Sequence, residues 1–167
     1  MTQHQDFLGR ADRSWPACKV VAEYYHNLGK EYSVQIAAKR FAPTAAQASE
    51  YSDDGDVILR LIVEECLGKN IFWRFRVEVK WRWEMDFTCV EDFPFPTIMV
   101  AKVESVDKAD DAVVYVSVSR DLKYGAFIPV TTRQHWTKVS NLVKNTGNVE
   151  QQYVCPKHLA TFKRIAP

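Results

Sequence analysis

The chain has 167 residues and a mass of 19.3 kDa, with 47% hydrophobic, 13% aromatic and 26% charged residues. That suits one globular domain able to bury roughly two-thirds of its unfolded surface. Its 22 Lys and Arg against 21 Asp and Glu leave a formal net charge of +1, and 6 Gly with 7 Pro are too few for a linker, so disordered, collagen-like and low-complexity classes are excluded. No apolar run approaches the roughly 18 to 20 residues that span a bilayer. The opening Met1-Thr2-Gln3-His4-Gln5-Asp6 has neither the basic start nor the apolar middle of a signal peptide. The expectation is a single soluble, cytoplasmic domain over 1–167 with no membrane partner, residues 1–13 forming a flexible N-terminus.

Ser14 is placed to cap a helix from about Trp15 to Leu28, with Pro16 in its first turn and Gly29 just past its end. Trp15, Cys18, Val21, Ala22, Tyr25 and Leu28 form its apolar stripe. Tyr32 to Ala38 alternates with period two and reads as a first strand, and Phe41 to Gly55 is small and polar, a loop. Val57, Leu59, Leu61 and Val63 then alternate with Asp56, Ile58, Arg60 and Ile62. After a turn around Glu65 to Asn70, the odd positions Ile71, Trp73, Phe75, Val77, Val79, Trp81 and Trp83 alternate with Phe72, Arg74, Arg76, Glu78, Lys80 and Arg82. Two such strands joined by a short Gly-containing turn make a hairpin. Thr97 to Val103, Val113 to Val118 and Ala126 to Val130 read as further extended segments, the last two separated by a turn at Asp121 to Gly125. A helix is expected from about Thr132, carrying His135, Trp136 and Val139, and the tail from Tyr153 should hold a short strand or loop and a basic helical turn. This order predicts an α/β (α+β) domain, a mixed central sheet with helices on its faces.

Cys18, Cys66, Cys89 and Cys155 form no close pair. Cys155 and His158 stand at a ligand spacing, but a structural zinc needs four converging ligands, so buried reduced thiols are expected.

The hairpin carries the chemistry. Its apolar faces must coincide, because a one-residue slip would turn every side chain to the wrong side. A turn centred near Gly68 places Asp56 opposite about Lys80 and diagonal to Glu78, on one face. Directly opposed residues lie roughly 4.5 to 5.5 Å apart at Cβ and diagonal ones roughly 7 to 8 Å. Two carboxylates so placed can share a hard divalent cation, with the Val79 backbone carbonyl as a further ligand. A nearby lysine can orient an attacking water and offset charge on a phosphate, which serves phosphodiester hydrolysis.

Gly55-Asp56-Val57-Ile58 followed by Val77-Glu78-Val79-Lys80 resembles the PD-(D/E)XK nuclease superfamily, the restriction-endonuclease-like fold, and in particular its Holliday-junction-resolvase-like and small nuclease-like members. The likeness covers about Trp15 to Arg82. In that fold a helix precedes a three-stranded meander, an Asp begins the second strand, and a Glu-x-Lys lies on the third. The resemblance implies a magnesium (or manganese) site at Asp56 and Glu78, with Lys80 as the catalytic lysine and DNA as the substrate. Glu23, the one acid inside the first helix, and Asp54 are candidate additional acids, and Arg74, Arg76 and Arg82 candidate phosphate contacts. Many resolvase-like members carry a Glu early in the first helix, where this chain has Cys18.

Two readings stand beside the nuclease. One is a catalytically inactive relative serving as a nucleic-acid- or protein-binding module, which the near-zero net charge favours. The other is a solvated strand face in which Glu78 and Lys80 form ion pairs with Arg60 or Arg76. The aromatic odd face (Trp73, Phe75, Trp81, Trp83) reads as core or as a base-stacking platform, and His135 as structural. Lys69 to Arg82 carries five basic residues against Glu78, and Arg133 to Arg164 six against Glu150, patches that suit phosphates. For self-association the expectation is a two-fold homodimer.

Overall fold

The computed structural model describes residues 15–29, 32–36, 57–66, 69–108, 112–142 and 149–167. The expected N-terminal segment, the Ser14 cap, the loop from Phe41 to Gly55, and Asp54 and Asp56 lie outside the described residues.

Helix α1 spans Trp15–Leu28, with Pro16 at its start, where the missing amide costs nothing, and Gly29 following its end. Its buried face is Ala17, Cys18, Val21 and Ala22, small side chains that let the helix axis approach a sheet closely. The expected stripe is narrower than the sequence pattern suggested: Trp15 and Leu28 at the two ends are 40% and 56% exposed.

Strands β1 (Tyr32–Ile36), β2 (Val57–Cys66) and β3 (Lys69–Trp81) form an antiparallel meander. The chain then crosses through β4 (Thr97–Lys102) and the short helix α2 (Val103–Lys108) before β5 (Ala112–Val118) returns parallel to β3. Strand β6 (Tyr124–Pro129) pairs antiparallel with β5, and β9 (Thr161–Arg164) with β6. The result is a six-stranded mixed sheet in the order β1-β2-β3-β5-β6-β9. A second sheet, β4-β8-β7, is built from β4, β7 (Thr137–Leu142) and β8 (Val149–Pro156).

One face of the large sheet carries Val57, Leu59, Val77, Val79, Val116, Val118 and Phe127, packed under α1 with Ile165. The opposite face carries Tyr115, Ala126 and Ile128, covered by Ile98, Trp136, Tyr153 and Cys155 of the second sheet and its approach, with Phe87, Phe93 and Val106. The helices on the sheet's faces are unequal: the long α1 covers one face, while the other is closed mainly by a sheet, with the short α2 contributing Val106. The difference from the sequence pattern sits from about Thr132 onward, where a helix carrying His135, Trp136 and Val139 was expected. There Val130–His135 is a single 3-10 segment and Thr137–Leu142 a strand. Trp136 is extended, with ψ 146°, and breaks the helix between them, and its indole is buried against Tyr115 rather than lying on a helical stripe. The tail holds β8, a 3-10 turn at Lys157–Leu159 and β9.

The β5–β6 turn also differs in detail. The left-handed residue is Leu122, with φ 63°, held where the Asp121 carboxylate accepts from the Ser119 hydroxyl at 2.6 Å and the Lys123 amide at 3.0 Å. Gly125 lies inside β6, where an added Cβ would meet Phe127 at 3.1 Å and Val116 at 3.3 Å. Close packing, not turn geometry, requires the glycine there.

Candidate functional site

Strand β3 is central, paired with β2 on one side and β5 on the other, so its alternation sorts residues strictly between two covered faces. Val77 and Val79 point under α1. Glu78 and Lys80 project to the opposite face, with Tyr115 and Ser117 as their neighbours on β5.

The hairpin register departs from expectation by two residues: Val57 faces Val77, where the expected pairing put it opposite Val79. Its cause is the tightness of the connection. Cys66 pairs with Lys69, so only residues 67 and 68 link the strands. Carried down the ladder, that pairing would set odd residues opposite even ones and split the apolar face. A bulge between Ile62 and Glu64 inserts one residue and restores odd opposite odd.

Glu78 is 8% exposed. Its Oε1 lies 3.2 Å from Nε of Arg76, with both side chains nearly buried. Beside them, Tyr115 is 3% exposed. Burial, and then the negative charge of Glu78, push its phenol up to about 12, with Arg76 and Arg133 pulling the other way. Tyr115 packs edge-on to Trp136 at 5.9 Å, and Trp136 to Tyr153 at 6.0 Å. The Tyr153 hydroxyl donates to Asp107 at 3.1 Å, Arg133 pairs with the same carboxylate, and Arg133 and Lys138 lie 5.5 and 5.3 Å from the Tyr153 ring centre. A row of packed rings, Tyr115, Trp136 and Tyr153, thus runs from beside Glu78 on the large sheet to Asp107 beside the small one.

Lys80 is exposed, as is Arg74. Arg82 bridges the two sheets, donating from Nε to the Ser117 hydroxyl at 3.3 Å and from Nη2 to the Met99 carbonyl, and burial pulls its guanidinium down to about 10. Glu23 is exposed on α1. Because α1 packs on the Val77–Val79 side, the sheet lies between Glu23 and Glu78, and the structure does not bring the two together. Phe75 and Trp81 are half-buried against the aliphatic core, while Trp83 is 61% exposed beyond the end of β3. His135 is exposed beside Gln134. Cys18 and Cys155 are buried free thiols, and Cys89 is half-buried.

Of the expected magnesium ligands, the described residues hold Glu78 and Val79. Among the described residues no group of three or more His, Cys, Asp and Glu side chains converges. Glu78 supplies the hard oxygen such an ion prefers, and to bind one it would have to exchange Arg76 for the metal. The residues that reading the sequence missed are Tyr115, Asp107 and Tyr153. Nothing local marks them, since only the parallel β3–β5 pairing sets Tyr115 beside Glu78. No family model, curated protein or solved structure matches the chain.

Proposed function

We propose that the chain is a divalent-metal-dependent nuclease of the restriction-endonuclease-like kind that hydrolyses DNA phosphodiester bonds. The observation that carries this reading is the position of Glu78 and Lys80. They stand two residues apart on one face of the third strand of a helix-led antiparallel meander. Asp56, Glu78 and the Val79 carbonyl would hold magnesium or manganese, which supplies a water acidic enough to attack at neutral pH and a counter-charge for the phosphate. Lys80, exposed at the end of that row, would lie beside the phosphate oxygens and orient the attacking water.

One observation favours a second reading, a non-catalytic relative that binds nucleic acid or protein. The Arg76 guanidinium already stands 3.2 Å from the Glu78 carboxylate as its counter-ion, in the place that the ion would need. A buried carboxylate paired at 3.2 Å is stable without a metal.

A cleavage assay separates the two. Supercoiled, linear, single-stranded and branched DNA would be incubated with magnesium, manganese or EDTA, beside a Glu78→Ala, Lys80→Ala variant. Metal-dependent cutting that falls by about 100-fold or more in the variant is the expected result. No cutting of any substrate by a folded wild type would leave the binding module.

A further inference from the structure

Strand β9 is an edge of the large sheet, paired with β6 on one side. Thr161 lies opposite Phe127 and Lys163 opposite Gly125. Directly opposed residues share a face, so both project on the α1 side of the sheet. No β9 side chain belongs to the core under α1, and between helix and edge strand runs a groove of about 200 Å³. Tyr24, Tyr25 and Leu28 wall it from α1, Thr161 and Lys163 from β9, with Phe127 between them. The Tyr24 and Tyr25 rings pack on Phe127 with centres 5.3 and 6.2 Å away, which fixes the helix wall. Lys163 is exposed, and among the described residues no carboxylate pairs with it.

The backbone of this edge is also directed. The Ile165 amide donates to the Lys123 carbonyl at 2.7 Å, and successive residues of an antiparallel strand turn their amide and carbonyl to opposite sides. Lys163 and Thr161 therefore bond to β6. The N–H and C=O of Phe162 and Arg164 point to the other side, where no strand pairs among the described residues. Phe162 pins the strand from the opposite face, its ring packed on Phe87 and Phe93 at 5.7 and 5.8 Å. A groove between a helix and such an edge suits an extended peptide, which adds as a further strand and drops alternate side chains into the groove.

We infer that α1 and β9 form a docking groove for an extended acidic peptide, which adds antiparallel to β9 with a carboxylate opposite Lys163 and an apolar side chain opposite Thr161. Read from its own N-terminus the segment is acid-x-apolar, because an antiparallel strand meets Lys163 before Thr161. The apolar side chain fills the groove against Leu28 and Tyr24, and the carboxylate neutralises the ammonium. A second copy of the chain fits less well. Two β9 edges laid antiparallel in full overlap would set Lys163 against Lys163, and like charges directly opposed destabilise a sheet. A nucleic-acid strand fits less well too, since it offers no alternating row to match the backbone of Phe162 and Arg164. The groove lies on the face of the sheet away from Glu78, so the inference does not depend on the nuclease reading.

Short fluorescent peptides carrying Glu-Val-Phe or Glu-Val-Leu between threonines, and the same peptides with Lys for Glu, test the groove by anisotropy. The Glu peptides should bind about tenfold more tightly than the Lys peptides. Lys163→Glu, at an exposed site that keeps the fold, should reverse that order. Leu28→Ser should weaken both sets about tenfold and keep the order. N-methylation of the peptide amides that face β9 should cost about tenfold or more, whereas methylation of the alternate amides should not. Several results would overturn the groove: no binding of the Glu peptides to folded wild type, equal binding of the two sets, or indifference to which amides are methylated. Tighter binding of the reversed order, Phe-Val-Glu, would overturn the antiparallel strand. Self-association of wild type that Leu28→Ser abolishes would give the groove to a second copy instead. Displacement of the peptide by a single-stranded oligonucleotide that needs both Lys163 and Leu28 would give it to nucleic acid, and either result overturns the inference.

Discussion

The two faces of the six-stranded sheet are made by the same strands and solve different problems. Under α1 the contacts are Ala17, Cys18, Val21, Val57, Val77, Val79, Val116 and Val118, short aliphatic side chains with little polarity to satisfy. Across the sheet the cover is aromatic and partly charged, with Phe87, Tyr115, Trp136 and Tyr153 in the core, and Glu78 and Ser117 buried beside it. The face under α1 is held chiefly by apolar burial, with Phe127 and its ring contacts at the margin, and tolerates side chains of similar size. The second face must also satisfy each buried polar atom, so it depends on specific partners. Among the described residues the one buried carboxylate, Glu78, lies on the second face.

Three experiments break or sharpen that contrast. The largest effect is expected at Phe87, which is almost fully buried and stacks edge-on against Phe93 at 5.2 Å and Phe162 at 5.7 Å. Phe87→Ala should cost about 3 to 5 kcal/mol in urea denaturation, because the rings around it cannot collapse into the space. A loss below about 1 kcal/mol would mean that the second face is loosely packed and that the aliphatic face carries the fold.

Next comes the ion pair. Arg76→Ala leaves Glu78 buried with its positive neighbour removed and should cost about 3 kcal/mol, whereas replacing both residues by Leu should recover most of that loss. Equal losses in the single and double variants would contradict the claim that charge is held on this face by pairing.

The smallest effect is a pH dependence. Tyr115 is raised from 10.0 to about 12, by burial first and by Glu78 second. Its folded-state value lies above its unfolded one, so the contribution is fully present below pH 10 and is lost as pH rises through 12. Arg82, lowered from 12.5 to about 10 by burial, slopes the other way over the same range. The difference between wild type and Tyr115→Phe cancels the Arg82 contribution. Wild type should lose roughly 2 kcal/mol relative to the variant between about pH 9 and pH 11.5. A flat difference would place Tyr115 in contact with water and detach it from Glu78.

Local pattern determined a good deal of this protein. The bounds of α1 follow from Pro16, Gly29 and the helical spacing of Cys18, Val21 and Ala22. The strands β2 and β3 follow from period-two alternation, β5 and β6 from short apolar runs, and the sharing of one face by Glu78 and Lys80 follows from their spacing alone. These features depend on neighbours within a few residues, so the chain itself displays them. Trp136, by contrast, fitted a helical stripe until its burial against Tyr115 showed what it packs on. The register of the hairpin was settled by a bulge that no residue type announces. Which strand lies parallel to β3, and that Tyr115 therefore stands beside Glu78, were decided by contacts between segments 35 or more residues apart. Such contacts form only when the whole set of apolar faces is buried together, and the periodicity of any one segment carries no record of its partner.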